Sequence, residues 1–363
     1  MSQSILIVGA GLYGAVCAYE LNRKGYVVTV IDKRNHIGGN LYTRNINGIP
    51  VHYYGAHIFH TSDKKIWDYI NQFGEFNSFI NSPMAKYRKK FYNLPFNMNT
   101  FNELWGITTP DGAKRKIESQ KIRYSNPKNL EEKALSMVGK DIYYKLIKEY
   151  TEKQWDKKAT ELPADIITRI PIRFTYDNNY FNDRYQGIPI KGYTQLFYRM
   201  LENCEVKVQT PFNKNMLDKY DLVIYTGPID EFFDYQFGAL EYRSLKFKHF
   251  LTDTTNWQGN AVVNYPEKKY QFTRVIEHKH FYQKEYEDCT SVITYEHPVP
   301  WTKGRDAYYP IRDNQNSILY DKYLNLARDY PKVIFGGRLG LYRYINMDKT
   351  IELALKMIET RFE

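Results

Sequence analysis

The chain opens with two kinds of order in quick succession. Apolar residues run unbroken from Ile5 to Val8, glycines stand at 9, 11 and 14, and residues 15–24 keep helical character until Gly25. A second apolar run, VVTVID, ends at Asp32. Short unbroken apolar runs bounded by turn residues suit strands buried on both faces, so the pattern predicts strand, glycine turn, helix and strand. Residues from about 75 to 150 hold helical segments broken at NSP, LPF and TTP, which predicts a mainly helical insertion. Alternating runs at 204–212, 243–251, 260–265, 270–276 and 290–296 predict an antiparallel sheet. Near the end, KVIFGG reads as a strand meeting glycines. Met347, Ile351, Ala354, Leu355 and Ile358 then keep the spacing of a helix. With no internal repeat or low-complexity linker, the domains of this α/β chain are expected to interleave rather than follow one another.

Composition narrows the function. A 363-residue chain with 43% apolar residues supports a sizeable core, and no run approaches the roughly 20 apolar residues of a membrane helix. The stretch MSQS has neither the basic region nor the cleavage pattern of a secretory leader, so a cytoplasmic location is expected. Cys17, Cys204 and Cys289 are odd in number and far apart, and are expected to be reduced thiols. The net charge of +10 suits nucleic acid, an acidic surface or an anionic small substrate. Its densest runs, KYRKKF and GAKRKIESQK, are short and read as solvated faces, so a nucleic-acid role rests on net charge alone. The 34 tyrosines point instead to sugars and bases, which rings that stack and donate a hydroxyl suit well.

The segment VHYYGAHIFHT, residues 51–61, concentrates three histidines. His57 and His60 would share a face only on a helix. Gly55 and the β-favouring residues around it predict extended chain, where they point to opposite sides and do not chelate a metal together. His52 reads as structural. No HExxH motif and no Ser-His-Asp or Cys-His arrangement is evident.

Glycines directly after a strand and before a helix let a pyrophosphate sit on the helix N-terminus. Asp32 closes the second strand where a carboxylate takes ribose hydroxyls, which completes a dinucleotide site. Three further segments favour FAD over NAD. DKRNHIGGN sets Gly38 and Gly39 after the carboxylate, while DLVIYTG and VIFGGRLG resemble later strands of FAD proteins. No second GxGxxG stands in a strand–helix setting, so a built-in NADPH domain is not expected.

The segments KRNHIGGN, YGAHIFHT, NLPFNMNTF, YTEKQW, RIPIRFTYDNNYF, DRYQGIP, YTGPID, FGALEYRSLKF, RVIEHKHF, YYP and FGGRL together resemble the bacterial UDP-galactopyranose mutase family over nearly the whole chain. The resemblance implies an FAD-binding Rossmann-like domain with an inserted helical bundle and an antiparallel sheet domain. On this division residues 1–75, 190–240 and 315–363 bind FAD, 76–150 are helical, and 151–189 with 241–314 form the sheet that meets substrate. It implies a homodimeric isomerase that interconverts UDP-galactopyranose and UDP-galactofuranose by ring contraction for cell-surface polysaccharide. Reduced flavin N5 is then the nucleophile at the anomeric carbon, and a cellular reductant is required; the cofactor carries the covalent step and the protein orients and stabilises.

Residue by residue, the resemblance assigns Arg169 and Arg274 to the leaving diphosphate, where forked cations in a partly dry cleft are needed. Tyr180, Tyr309 and Tyr344 match its diphosphate tyrosines. Tyr150, Thr151 and Trp155 match nucleotide and sugar contacts, as do Asn81, Leu146 and Asn264. His57 is expected at the flavin, stabilising charge on its reduced form, with His60 beside flavin or sugar. Cofactor contacts are expected from Gly9, Gly11, Leu12, Tyr13, Gly14, Asp32, Lys33, Gly38, Gly39, Asn40, Ile58, Phe212, Arg338, Asn346 and Met347. Arg173 and Arg243 are left as candidates for ordinary ion pairs. One departure is Asn346, which stands where the family pattern Tyr-x-Tyr-x-Asp-Met has Asp; Asn caps a helix about as well. The alternatives are a flavin oxidoreductase of the amine-oxidase type and a mutase preferring UDP-N-acetylgalactosamine.

Overall fold

The computed structural model describes residues 3–282, 286 and 290–362, with Arg169 described by its backbone alone; Cys289 lies outside the described residues. Strand β1 (Ser4–Val8) is buried along Ile5–Val8 and lies at the centre of a five-stranded sheet. Its order is β16 (Val333–Phe335), β10 (Leu222–Tyr225), β1, β2 (Val27–Ile31) and β9 (Glu205–Lys207), with every pair parallel. Parallel strands need crossovers, and the helix Leu12–Arg23 supplies the first of them. It ends at Gly25, whose φ of +87° continues no right-handed helix. The helix Met347–Arg361 packs on it through buried Ile351, Ala354 and Ile358, whose three- and four-residue steps form one stripe.

A second sheet of seven strands runs β15 (Tyr309–Pro310), β11 (Tyr242–Leu251), β14 (Val292–Pro300), β13 (Arg274–Glu277), β12 (Val262–Asn264), β6 (Met84–Tyr87) and β7 (Lys90–Asn93). It is antiparallel except where β12 meets β6. Two small pairs complete the strands: β3 (Thr43–Ile46) with β4 (Ile49–His52), and β5 (Phe59–Thr61) with β8 (Tyr185–Gly187).

Three expectations about the elements are corrected. The run 204–212 does not join the antiparallel sheet: its strand pairs parallel with β2, because three residues carry no information about their partner. Residues 84–93, expected inside the helical insertion, form a hairpin at the edge of the seven-stranded sheet, where Lys86, Lys89 and Lys90 suit an unpaired margin. The helix Lys148–Trp155 runs through position 150, where a boundary was expected, and residues 159–167 pack with the helices rather than the sheet. The helical core holds Leu130, Ala134, Leu135, Val138 and Ile142. A π-helical turn, Tyr143–Ile147, follows before the helix Lys148–Trp155, and such turns re-aim the residues after them. Among the described residues no helix is long and apolar enough to cross a membrane.

Candidate active site

A cavity of about 560 Å³ opens at the carboxyl ends of β1 and β10. The glycines explain its wall. A Cβ on Gly14 would stand 2.1 Å from the Gly9 carbonyl oxygen, one on Gly9 2.1 Å from Thr226 Oγ1, and one on Gly39 3.0 Å from the Gly11 Cα. The 9–14 turn, the Gly38–Gly39 turn and the Thr226 side chain therefore meet with no room for a side chain at these glycines, which lets a ligand approach the helix N-terminus directly. Asp32, nearly buried, is aimed by backbone amides: Ala10 donates to Oδ2 at 2.8 Å and Arg34 to Oδ1 at 2.9 Å. The donor set and the close backbone fit a dinucleotide such as FAD. The expected cofactor residues line the cavity except Ile58 and Asn346. Ile58 belongs to the apolar core. Asn346 is the N-cap of the helix Met347–Arg361, but its exposed side chain makes no capping hydrogen bond, so Asn in place of Asp is not retained for capping.

No sequence motif marks Asp306, which lines the same cavity on the loop after β14. Its carboxylate meets Arg34 at 2.9 Å, and Arg34 also donates to Asn40 Oδ1 at 3.1 Å and lies over the Tyr54 ring. The partners are 272 positions apart in sequence, so only the fold joins them.

His57 lines the cavity as well. Its Nδ1 is 2.8 Å from the Gly55 carbonyl, which can only accept, so Nδ1 carries the proton and Nε2 keeps a lone pair. Burial, then the charge of Arg338, hold its pKa down at about 4. With Nδ1 donating to Gly55, the neutral ring offers an acceptor at Nε2, and Arg338 is a cation at the same wall. His60 does not line the cavity. It stacks on Phe181 at 3.7 Å, and its Nδ1 lies 2.6 Å from Asp183 Oδ2.

The residues expected to meet substrate lie beyond Arg338. Cross-strand pairing sets Asn264, Arg274, Glu296 and Phe247 side by side on one face of the sheet. Gly55 crosses that face with φ +100°, its Cβ position 3.3 Å from Glu296 Oε2 and 3.2 Å from Phe247. Arg274 Nη2 donates to the Tyr150 hydroxyl at 2.9 Å. Its buried Nε faces Glu296 Oε1 at 3.5 Å as an ion pair, so among the described residues Nη1 is the arm of the fork left to donate to a ligand. Burial is the largest influence on Arg274 and opposes its charge, but Glu296, Tyr150 and Tyr309 together outweigh it and the guanidinium stays charged; burial likewise raises the proton affinity of Glu296 against the pull of Arg274. An aromatic path joins this arginine's surroundings to the cavity: Trp155 to Tyr309 at 6.1 Å, Tyr309 to Tyr344 at 5.6 Å, and Arg338 over Tyr344 at 5.0 Å.

The remaining expected residues divide. Thr151 is buried on the same helix as Tyr150. Asn81 is buried, its carbonyl accepting from Tyr180 N at 2.8 Å. Leu146 packs in the helical core. The Arg169 side chain lies outside the described residues. Arg173 donates to the Phe181 carbonyl at 3.0 Å, and buried Arg243 to the Gln154 carbonyl at 3.0 Å, so both hold backbone rather than ligand.

Behind His57 runs a chain of imidazoles, buried at His52 and His278 and partly buried at His249. His57 N donates to His52 Nδ1 at 3.2 Å and His52 N to His278 Nδ1 at 3.2 Å, while Thr294 Oγ1 bridges His278 Nε2 (2.6 Å) and His249 Nδ1 (2.8 Å). Burial lowers the pKa of His249 to about 4 and of His278 to about 3. Each binds a proton in the unfolded chain near pH 6.5 but not in the fold. Stability is therefore full above pH 6.5 and falls as pH drops from 6.5 toward 3, by up to about 1.4 kcal/mol per pH unit and group. A thermal melt series from pH 7 to pH 4 should show this slope, and His278→Asn should start lower yet decline less steeply. An unchanged slope in the variant contradicts the assignment.

The comparisons agree with this geometry. The description of the UDP-galactopyranose mutase family matches residues 145–344, and that of an NAD(P)-binding Rossmann-like domain matches residues 7–73. The chain is 41% identical, over 98% of its length and 94% of the relative's, to a probable UDP-galactopyranose mutase of Klebsiella pneumoniae. It is 37% identical to a dTDP-fucopyranose mutase of Escherichia coli over 97% of this chain and 96% of that one. A crystal structure of reduced UDP-galactopyranose mutase shares the fold with a TM-score of 0.76 at 17% identity, over 99% of this chain and 93% of that one. With a glycine-built cofactor cavity leading to an arginine within the matched segment, the chain belongs to the UDP-galactopyranose mutase family of isomerases.

Proposed function

We propose that this protein interconverts UDP-galactopyranose and UDP-galactofuranose on bound FAD in the cytoplasm, as a homodimer served by a cellular reductant, and so supplies galactofuranose for surface polysaccharide. The observation that carries the reading is the line from the cofactor cavity through Arg338, Tyr344 and Tyr309 to the half-free fork of Arg274. When bound, reduced FAD supplies a nucleophile, N5, for the anomeric carbon of the sugar.

The chain's own residues do the rest. Gly9, Gly11, Gly14 and Gly39 bring backbone to the pyrophosphate, and Asp32 takes ribose hydroxyls. Arg274, with Arg169 as a second candidate, takes up the charge that grows on the departing diphosphate. The hydroxyls of Tyr150, Tyr309, Tyr344 and Tyr180 add neutral donors to it. Trp155 and Asn264 orient the nucleotide sugar. Neutral His57 holds a proton donor of the cofactor through Nε2 and excludes water from that wall.

The relative of Escherichia coli favours a second reading, in which another nucleotide sugar is the substrate. A panel of UDP-galactofuranose, UDP-N-acetylgalactosamine and dTDP-fucose, assayed with the reduced protein, separates the readings. The expected result is highest kcat/KM with the UDP-galactose pair; preference for either other nucleotide moves the assignment to it.

A further inference from the structure

The helix Lys148–Trp155 carries Tyr150, Thr151 and Trp155, whereas Asn264 and Arg274 sit on β12 and β13. The two groups meet through the turn that joins those strands. From the last turn of the helix, Lys153 Nζ donates to three carbonyls of the β12–β13 turn: Tyr265 at 2.6 Å, Glu267 at 3.0 Å and Tyr270 at 3.2 Å. An ammonium has three protons, so all its donors are spent on one loop. Two acids of the same helix add to the hold. Glu149 accepts from Lys268 N at 2.7 Å, and Glu152 meets Lys268 Nζ at 3.0 Å. Tyr265 N donates to the Thr273 carbonyl at 2.8 Å and closes the neck of the turn next to Arg274.

We infer that Lys153 is a positioning residue: by gathering the 265–270 carbonyls it fixes the Arg274 strand against the Tyr150 helix and so sets affinity for the nucleotide diphosphate. The inference deepens the proposed function and rests on it. Lys153 does not line the cofactor cavity, and its donors are occupied by backbone, so its loss should alter binding and leave the chemical step. A hydrophobic replacement strands three carbonyls and lets the turn open. Arg274 and Tyr150 then meet in only a fraction of molecules, and apparent affinity falls by that fraction.

The test uses the full-length protein with its cofactor. Lys153→Met should raise KM for UDP-galactofuranose and Kd for UDP about tenfold, as expected for lost charge-assisted hydrogen bonds, with kcat within about twofold. Lys153→Arg keeps a charged donor and should recover KM to within about threefold of the parent. Amide exchange across 265–273 in ligand-free protein should quicken about tenfold in Lys153→Met and not in Lys153→Arg. If the methionine variant does not fold, Lys153→Gln, which donates two bonds, should give intermediate KM and exchange. Unchanged exchange, or a fall in kcat at constant KM, overturns the inference. A parent protein that binds no UDP sinks the functional reading and with it the role in affinity, and the exchange result still reports on the hold itself.

Discussion

Replacing Arg274 by alanine is expected to lower kcat/KM about 10²- to 10³-fold, the cost of one lost donor to charge that develops in a transition state. The effect should appear in both KM and kcat, because Arg274 holds the diphosphate on binding and the interaction strengthens as the diphosphate leaves. A second consequence distinguishes this site from a surface arginine. Glu296 is 2% exposed and faces Arg274 on the neighbouring strand, so the variant leaves a buried carboxylate without its cation. Burial already raises its proton affinity, and without the arginine it should bind a proton. Arg274→Ala/Glu296→Gln should therefore melt higher than Arg274→Ala alone and gain no turnover. Steady-state kinetics and calorimetry on the two variants check both statements; near-parental turnover in Arg274→Ala removes its assigned role.

Gly14→Ala is expected to abolish cofactor retention. The added methyl would meet the Gly9 carbonyl at 2.1 Å and Ile7 Cγ2 at 3.1 Å, and a backbone atom cannot swing aside as a side-chain end can. The turn must shift, at a cost of about 1–3 kcal/mol or more, and the helix N-terminus shifts with it. Gly25→Ala is the control. Its φ of +87° strains an alanine by about 1–2 kcal/mol, but nothing lies within 4 Å and Gly25 does not line the cavity. The flavin absorbance-to-protein ratio of the purified variants should be near zero for Gly14→Ala and near parental for Gly25→Ala, although both melt lower.

The contrast between these glycines shows what sequence can and cannot convey. The turn at 9–14 was legible because strand, glycines, helix and closing carboxylate must occur in one order, and because buried parallel strands leave unbroken apolar runs. The helix after Asn346 was legible from its stripe. The hairpin at 84–93 was not: its lysines read as a solvated face, which is also how a sheet protects an edge. Neither was the state of His57, which depends on a carbonyl two residues away and on two arginines far along the chain. Glu296 hides in an ordinary alternating strand until β13 brings Arg274 beside it. Lys153 looked like one charge among many in YTEKQW, and only the turn it grips makes it distinct. Resemblance carried the substrate residues further than periodicity did. Leu146 and Ile58, which it assigns to ligands, pack in apolar clusters.

The most direct test of the account is conversion of UDP-galactofuranose to UDP-galactopyranose by the purified protein, followed by chromatography before and after reduction with dithionite. The account predicts a yellow protein that releases FAD on denaturation and converts the substrate only when reduced. Bound FAD with no interconversion of any galactose or N-acetylgalactosamine nucleotide in the reduced protein would contradict it.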